Sequence, residues 1–144
     1  MQQDRVVYLV KSISNGRVVD ATGRALTNRK PKWRRYSDNK LPFVCGTTDN
    51  LFVVEDCPSA CAVSNILTGI AIMGTKLKEV QKSHLKPYKN LYICLDRDAT
   101  TKAYDMAKDL RSSGFENVIV KPLEDDLKYY NTEQIREMFY GNRL

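Results

Sequence analysis

Acidic residues stand directly after three apolar runs of the sequence. Glu55 follows LFVV, Asp96 and Asp98 follow LYICL, and Asp125 and Asp126 follow NVIVKPL and one further acid. Carboxylates that are gathered in one place repel one another unless a cation neutralises them, and oxygen ligands suit Mg²⁺ or Mn²⁺. Such ions bridge phosphate oxygens in enzymes. The three runs therefore predict a divalent-metal site for phosphate chemistry, provided that the fold brings their ends together.

The order of predicted elements supplies that condition. Short apolar strands alternate with helices, which predicts a mainly parallel sheet covered on both faces. Right-handed crossovers then place the carboxyl ends of the strands along one edge, where ligands bind in open α/β sheets. Thr75 and Thr132 are expected to cap two of the helices, and Gly114 to end a third. Four strands are predicted at 51–55, 70–73, 91–95 and 117–123, and four helices at 58–68, 75–85, 99–113 and 132–139.

The excess positive charge lies in the first third of the chain. Residues 1–50 hold 10 Lys and Arg against 4 Asp and Glu, whereas residues 51–144 hold 13 of each, and the formal net charge is +6. Two β-branched runs around SNG at 14–16 predict a hairpin, and the prolines after it favour loops and short edge strands. We therefore expect a basic, β-rich subdomain over 1–49 and an α/β domain over 50–144. The basic surface either faces a polyanion or serves solubility alone.

Composition excludes several other classes of protein. No apolar run approaches the roughly 20 residues that span a bilayer, and the start lacks a secretory signal, so we expect a cytoplasmic protein without a membrane partner. The cysteines lack the paired spacing of a structural zinc site and are expected to be buried free thiols. They are Cys45, Cys57, Cys61 and Cys94.

The segment ICLDRDAT allows one alternative interpretation. Four apolar residues followed by DxDxT resemble the motif of haloacid-dehalogenase-type phosphatases, in which the first Asp is a nucleophile. Only 44 residues follow Thr100, which is too few for the rest of that core. That chemistry would also give no role to Glu55.

The whole arrangement resembles the Toprim domain, a catalytic module of primases, topoisomerases and some nucleases. LFVVEDCPSACAVSN matches its glutamate motif, LYICLDRDATTKAYDMAKDL its DxD motif, and GIAIMGTKL and KPLEDDLKYY look like two further primase segments. The resemblance covers about residues 50–130. It implies that Asp96 and Asp98 hold metal, that Glu55 shares a metal or acts as general base, and that Asp125 or Asp126 completes an acidic rim.

The first 50 residues are similar in outline to the basic subdomain that precedes Toprim in phage primases of the primase–helicase type. Guanidinium and ammonium groups beside a metal site can hold template phosphates and the triphosphate of an incoming nucleotide. Trp33 and Tyr36 could stack on a base, although a role for Trp33 in a small core is equally open. The residues expected to contact nucleotide or nucleic acid are Arg24, Lys30, Lys32, Trp33, Arg34, Arg35, Arg97 and Lys102.

The leading hypothesis is a stand-alone primase-type nucleotidyltransferase core from a bacterium or phage. It would join nucleoside triphosphates on single-stranded DNA with Mg²⁺ or Mn²⁺, with a separately encoded helicase as its partner. Two alternatives stay open. A Toprim nuclease would use the same carboxylates to cleave phosphodiesters, and a non-catalytic accessory protein would only bind nucleic acid. The retention of Glu55, Asp96 and Asp98 together argues against the accessory role.

Overall fold

A small antiparallel sheet opens the chain. The structure is a computed structural model that describes residues 5–11, 17–27, 30–36 and 41–140. The sheet consists of β1 (Arg5–Lys11), β2 (Val18–Ala25) and β3 (Trp33–Arg35), in that order. The predicted pairing of the first two strands is confirmed, while the predicted turn at 14–16 and the loop at 37–40 lie outside the described residues.

A five-stranded sheet forms the rest of the framework and confirms the predicted α/β class. Its strand order is β4-β6-β5-β7-β8, and β5 to β8 are the four predicted parallel strands. β4 is an addition, since it pairs antiparallel with β6 from a segment that precedes the predicted boundary at 49/50. The division into two domains stays a prediction. The strands are β4 (Phe43–Cys45), β5 (Asn50–Val54), β6 (Thr68–Ala71), β7 (Asn90–Ile93) and β8 (Val118–Val120).

The helices are shorter than predicted at two places. The helix expected over 58–68 ends at Val63, because Thr68 pairs with Leu51 in the sheet. The helix expected over 75–85 is a single turn that begins after Lys78, whose N–H bonds to the Gln81 side chain. Thr75 is therefore not a cap. The helices are α1 (Cys57–Val63), α2 (Glu79–Lys82), α3 (Thr100–Ser112) and α4 (Thr132–Tyr140), with 3₁₀ turns at Arg97–Ala99 and Leu127–Tyr129.

The predicted helix ends are confirmed at α3 and corrected at α4. Gly114 follows α3 with a φ of 100°, in the left-handed region that favours glycine, and this conformation ends the helix. At α4 the cap is Asn131 and not Thr132. The Asn131 side chain accepts a hydrogen bond from Gln134 N at 2.8 Å, and the Gln134 side chain accepts one from Asn131 N at 2.8 Å.

The large sheet lies between two apolar cores. One core packs α3 against residues such as Leu51 and Ile93, and the other packs α1 and α4 against Phe52 and Val54. α1 approaches β6 so closely that a Cβ at Gly69 would lie 2.4 Å from a backbone oxygen of the helix. Among the described residues, no helix is long and apolar enough to cross a membrane.

The small sheet joins the second of these cores. Val10 is buried there, and Tyr8 and Trp33 pack against it. The Tyr8 ring lies 5.5 Å from the Phe43 ring of β4 and 6.0 Å from the Trp33 ring, measured between centroids. This packing fixes the basic sheet against the α1 face of the large sheet. Cys57 and Cys94 are buried as predicted, whereas Cys45 and Cys61 are partly exposed.

Candidate functional site

The carboxyl ends of adjacent strands bring the predicted acidic residues to one edge of the sheet. Glu55 follows β5, Asp96 follows β7, and the acidic stretch at 124–126 follows β8. β5, β7 and β8 are neighbours in the sheet. Asp96 N donates a hydrogen bond to Glu55 Oε1 at 3.2 Å, which ties the first two strand ends together. Asp56 has another task, because its side chain caps α1 through Ser59 N at 3.0 Å.

Glu55 has a carboxyl whose pKa is strongly raised at this edge. Burial, and to a smaller extent the nearby negative charges of Asp96 and Asp98, together raise the pKa of its carboxyl to about 7. The carboxyl is half-buried, so its ionised form loses part of its hydration. Perturbed carboxyls of this kind are common in functional sites. A positive charge bound at this place would favour the ionised form.

Two clefts open at this edge. The smaller, of about 270 Å³, is lined by Asp96, Asp98, Asp125, Asp126, Arg97 and Glu124. It therefore unites four of the five predicted metal ligands with one predicted basic residue. Arg97 Nη1 donates to the backbone oxygen of Glu124 at 3.4 Å, which keeps its charge beside the carboxylates.

The larger cleft, of about 750 Å³, lies between the two sheets. Glu55, Asp96 and Asp126 line it on the side of the large sheet. Arg24 and Lys32 line it from the small sheet. The three acids, which form the acidic wall, and the two cations, which form the basic wall, thus line one space whose volume is typical of small-molecule sites. The remaining lining residues are Thr22, Trp33, Asp56, Pro58, Met73, Gly74 and Tyr129.

The carboxylates are neighbours along the edge and not an assembled coordination sphere. Within the described part of the chain, no three acidic, histidine or cysteine side chains converge closely enough to hold one metal ion. Their chemistry nevertheless fits a hard divalent cation, because all of them are oxygen donors. A cation would also favour the ionised form of Glu55, whose pKa is raised chiefly by burial and then by the negative charges of Asp96 and Asp98.

Only part of the predicted basic set reaches the site. Arg24 and Lys32 line the large cleft and Arg97 lines the small one. Trp33 lines the large cleft too, but it is half-buried, with the Arg24 guanidinium 5.8 Å from its ring centroid. Lys30 is exposed and lines neither cleft.

Three further predicted basic residues line neither cleft. Arg34 follows Trp33 on β3, and successive side chains of a strand face opposite sides of the sheet. Arg34 lies opposite Gly23 in the β2–β3 register and stacks over the Tyr36 ring at 5.3 Å. Arg35 forms an ion pair with buried Asp20 and donates to Met73 Sδ at 3.3 Å. Lys102 lies in a separate groove of about 430 Å³ between α3 and the loop at 75–77.

Tyr129, Met73 and Asp20 were missed by sequence reasoning. Tyr129 stands in LKYY directly after the acidic stretch, so an aromatic residue close to the acids was a usable signal. Met73 lines the large cleft and has a φ of 57°. This left-handed conformation is uncommon for a residue other than glycine, so the sequence does not indicate it. Asp20 gave no signal, because its burial depends on Arg35, which is distant in sequence.

Comparison with known proteins gives matches among solved structures alone. No protein-family model matches the chain, and no curated protein matches it. A structure described as a DNA primase domain from Pseudomonas aeruginosa is 23% identical, with a TM-score of 0.70, over 88% of this chain and 46% of that chain. A DnaG primase catalytic domain bound to ssDNA is 22% identical, with a TM-score of 0.71, over 96% and 50%.

A third solved structure, a DnaG catalytic core, is 18% identical with a TM-score of 0.77, over 96% of this chain and 52% of that chain. The chain therefore spans about half the length of the solved chains that it matches. Membership in the Toprim family and the likeness to phage primases stay predictions. At these identities the matches establish the fold, and the chain has the mixed α/β fold of primase catalytic cores, as predicted.

Proposed function

We propose that this chain carries the catalytic site of a primase-type nucleotidyltransferase, which joins nucleoside triphosphates on a single-stranded DNA template. The observation that carries the proposal is the large cleft, which Glu55, Asp96 and Asp126 line together with Arg24 and Lys32. Nucleotidyl transfer needs both walls. Cations hold the negative triphosphate, and carboxylates hold the metal ions that act on it.

Asp96 and Asp98 would hold Mg²⁺ or Mn²⁺, with Asp125 and Asp126 on the rim, and Glu55 would either share a metal ion or act as the general base. When bound, such ions neutralise charge on the phosphoryl oxygens and make the attacking hydroxyl more acidic. Arg24 and Lys32 would bind the triphosphate from the opposite wall, and Arg97 would add a cation beside the acids. Their placement supports this assignment better than that of Arg34, Arg35 or Lys102.

In the transfer step, the 3′-oxygen of the growing strand would bond to the α-phosphorus as the bond to pyrophosphate breaks. The hydroxyl proton would pass to Glu55, whose half-buried carboxyl lines the cleft. Burial and the neighbouring carboxylates raise the pKa of Glu55 to about 7, and a bound cation would lower it, so that the carboxylate would be ionised and able to accept the proton. This base would contribute roughly 10²- to 10⁴-fold to the rate.

The proposed partners follow from the same chemistry. One of the similar structures is a primase catalytic domain bound to ssDNA, which supports a single-stranded DNA template here. A separately encoded replicative helicase and a place in the cytoplasm of a bacterial or phage-infected cell belong to the same proposal. A nuclease would use the acidic wall in the same way, but it would have less need for cations placed to hold a triphosphate.

One experiment tests the proposal directly. The protein is incubated with single-stranded DNA, labelled nucleoside triphosphates and Mg²⁺ or Mn²⁺, and the products are resolved by length. New short oligonucleotides that disappear with Asp98→Asn, but persist with the matched exposed control Asp105→Asn, would support the primase assignment. A shortened template would replace it with the nuclease. DNA binding without either product would leave only the accessory role.

A further inference from the structure

Tyr129 places an exposed aromatic ring beside the acidic wall. It ends the 3₁₀ turn Leu127–Tyr129, which begins directly after Asp126. Leu127 is 1% exposed and belongs to the second core, and Tyr130 packs against that core as well. Tyr129 itself is 68% exposed and lines the large cleft. The turn is thus anchored on both sides, and this anchoring fixes the position of the tyrosine.

The backbone of the turn is fixed by two hydrogen bonds. Tyr129 N donates to Asp126 O at 2.9 Å, and Tyr130 N donates to Leu127 O at 3.1 Å. The first bond ties the ring position to a carboxylate residue of the same cleft. A tyrosine held in this way loses little conformational freedom when a planar ligand packs on it, since its side chain has only two torsions.

The other aromatic residue of the cleft has a structural task. Trp33 is half-buried, packs against the second core and lies beside the Tyr8 ring. The Arg24 guanidinium lies 5.8 Å from its ring centroid. Trp33 therefore serves as part of the wall that positions Arg24. Tyr129 is left as the aromatic side chain of the cleft with most of its surface in solvent.

We propose that Tyr129 binds the base of a nucleoside triphosphate by stacking, while Arg24 and Lys32 bind its triphosphate. This inference rests on the proposed function and gives one more residue of the same cleft a role in binding the nucleotide substrate. The cleft volume of about 750 Å³ is large enough for a whole nucleotide. Stacking does not distinguish between bases, because each base offers a π-face, and a template-directed polymerase must accept all four.

Two kinds of ligand, nucleotides and a phosphate chain without a base, distinguish base binding from triphosphate binding. Binding of ATP, CTP and inorganic tripolyphosphate is measured by calorimetry in the presence of Mg²⁺. The variants are Tyr129→Ala, Tyr129→Phe and the matched control Tyr104→Ala. Tyr104 is 53% exposed on α3 and lines none of the clefts at the acidic edge.

Loss of a stacking partner should weaken ATP and CTP binding by Tyr129→Ala roughly 5- to 150-fold. Tripolyphosphate binding should stay unchanged, which also shows that the variant is folded. Tyr129→Phe keeps the ring and should retain nucleotide affinity, as should Tyr104→Ala.

Other outcomes overturn the inference. Unchanged nucleotide binding by Tyr129→Ala would refute the role of Tyr129 and leave the proposed function intact. An equal loss of affinity for nucleotide and for tripolyphosphate would refute it as well. Weaker binding of a single-stranded oligonucleotide, with nucleotide binding unchanged, would reassign Tyr129 to the template. If the unaltered protein binds neither nucleotide nor tripolyphosphate, both the inference and the proposed function fail.

Discussion

Replacement of Glu55 by glutamine should make the stability of the protein less dependent on pH. The pKa of Glu55 is raised from its usual 4.5 to about 7, chiefly by burial and then by Asp96 and Asp98. The folded state therefore binds the proton more tightly than the unfolded state does. The contribution of Glu55 is favourable at low pH and is lost as the pH rises through about 7. Glutamine resembles the protonated form at every pH.

The size of the effect follows from linkage. One pKa unit corresponds to about 1.36 kcal/mol, so a fully buried carboxyl with this pKa would lose roughly 3 kcal/mol on ionisation. Glu55 is half-buried, and solvent screening reduces this to about 1–2 kcal/mol. We therefore expect Glu55→Gln to raise the melting temperature by about 2–8 °C at pH 8 and to change it little near pH 4.

Thermal unfolding is followed by circular dichroism with a chelator present, from pH 4 to 8. The matched control is Glu116→Gln, which alters an exposed carboxyl outside the acidic edge and should not change the pH profile. A variant that loses stability at pH 8 would refute the reasoning. That result would mean that the Glu55 carboxylate is held in a favourable environment and that its repulsion by Asp96 is unimportant.

Three further predictions concern the two walls and the sheet that supports one of them. Asp98→Asn should abolish metal-dependent activity without lowering the stability measured in chelator, because it removes a negative charge that the neighbouring carboxylates repel. A loss of stability as large as that of a core mutation would contradict this prediction. Asp20→Ala should cost about 1–3 kcal/mol in urea unfolding, because it removes the buried carboxylate that pairs with the partly exposed Arg35, and a change near zero would show that the pair is not formed. Arg24→Ala and Lys32→Ala together should weaken the binding of inorganic tripolyphosphate with Mg²⁺ by roughly 10-fold or more in calorimetry, and an unchanged affinity would exclude both from contact with the triphosphate.

The parallel sheet and its acidic edge could be predicted because their signals are local. LFVV and LYICL are continuous apolar runs, which is typical of strands buried on both faces, and the acids follow each run immediately. The neighbouring positions of β5, β7 and β8 then place Glu55 and Asp96 within hydrogen-bonding distance. The rule that ligands bind at this edge needs no knowledge of side-chain packing.

The basic surface could not be predicted in the same way. The segment KWRR looks like one patch in sequence, yet β3 turns Trp33 and Arg35 to the face opposite Arg34. Arg35 then finds Asp20, a partner 15 residues away that no local pattern indicates. The prolines indicate short edge strands, but the place of β4 in the large sheet could not be predicted, because three residues between loops carry too little periodicity.

The site depends on packing between the two sheets as much as on its charged residues. Arg24 and Lys32 line the same cleft as the carboxylates because Tyr8, Val10 and Trp33 pack on the same core as β5 and α1. An acidic edge without that wall would repel a triphosphate, and a basic sheet without the acids would bind any polyanion. The presence of both walls in one cleft therefore lets the site discriminate between a nucleotide with its metal ions and a bare phosphate chain. Substitutions that loosen the small sheet should weaken nucleotide binding without altering a single charge of the cleft.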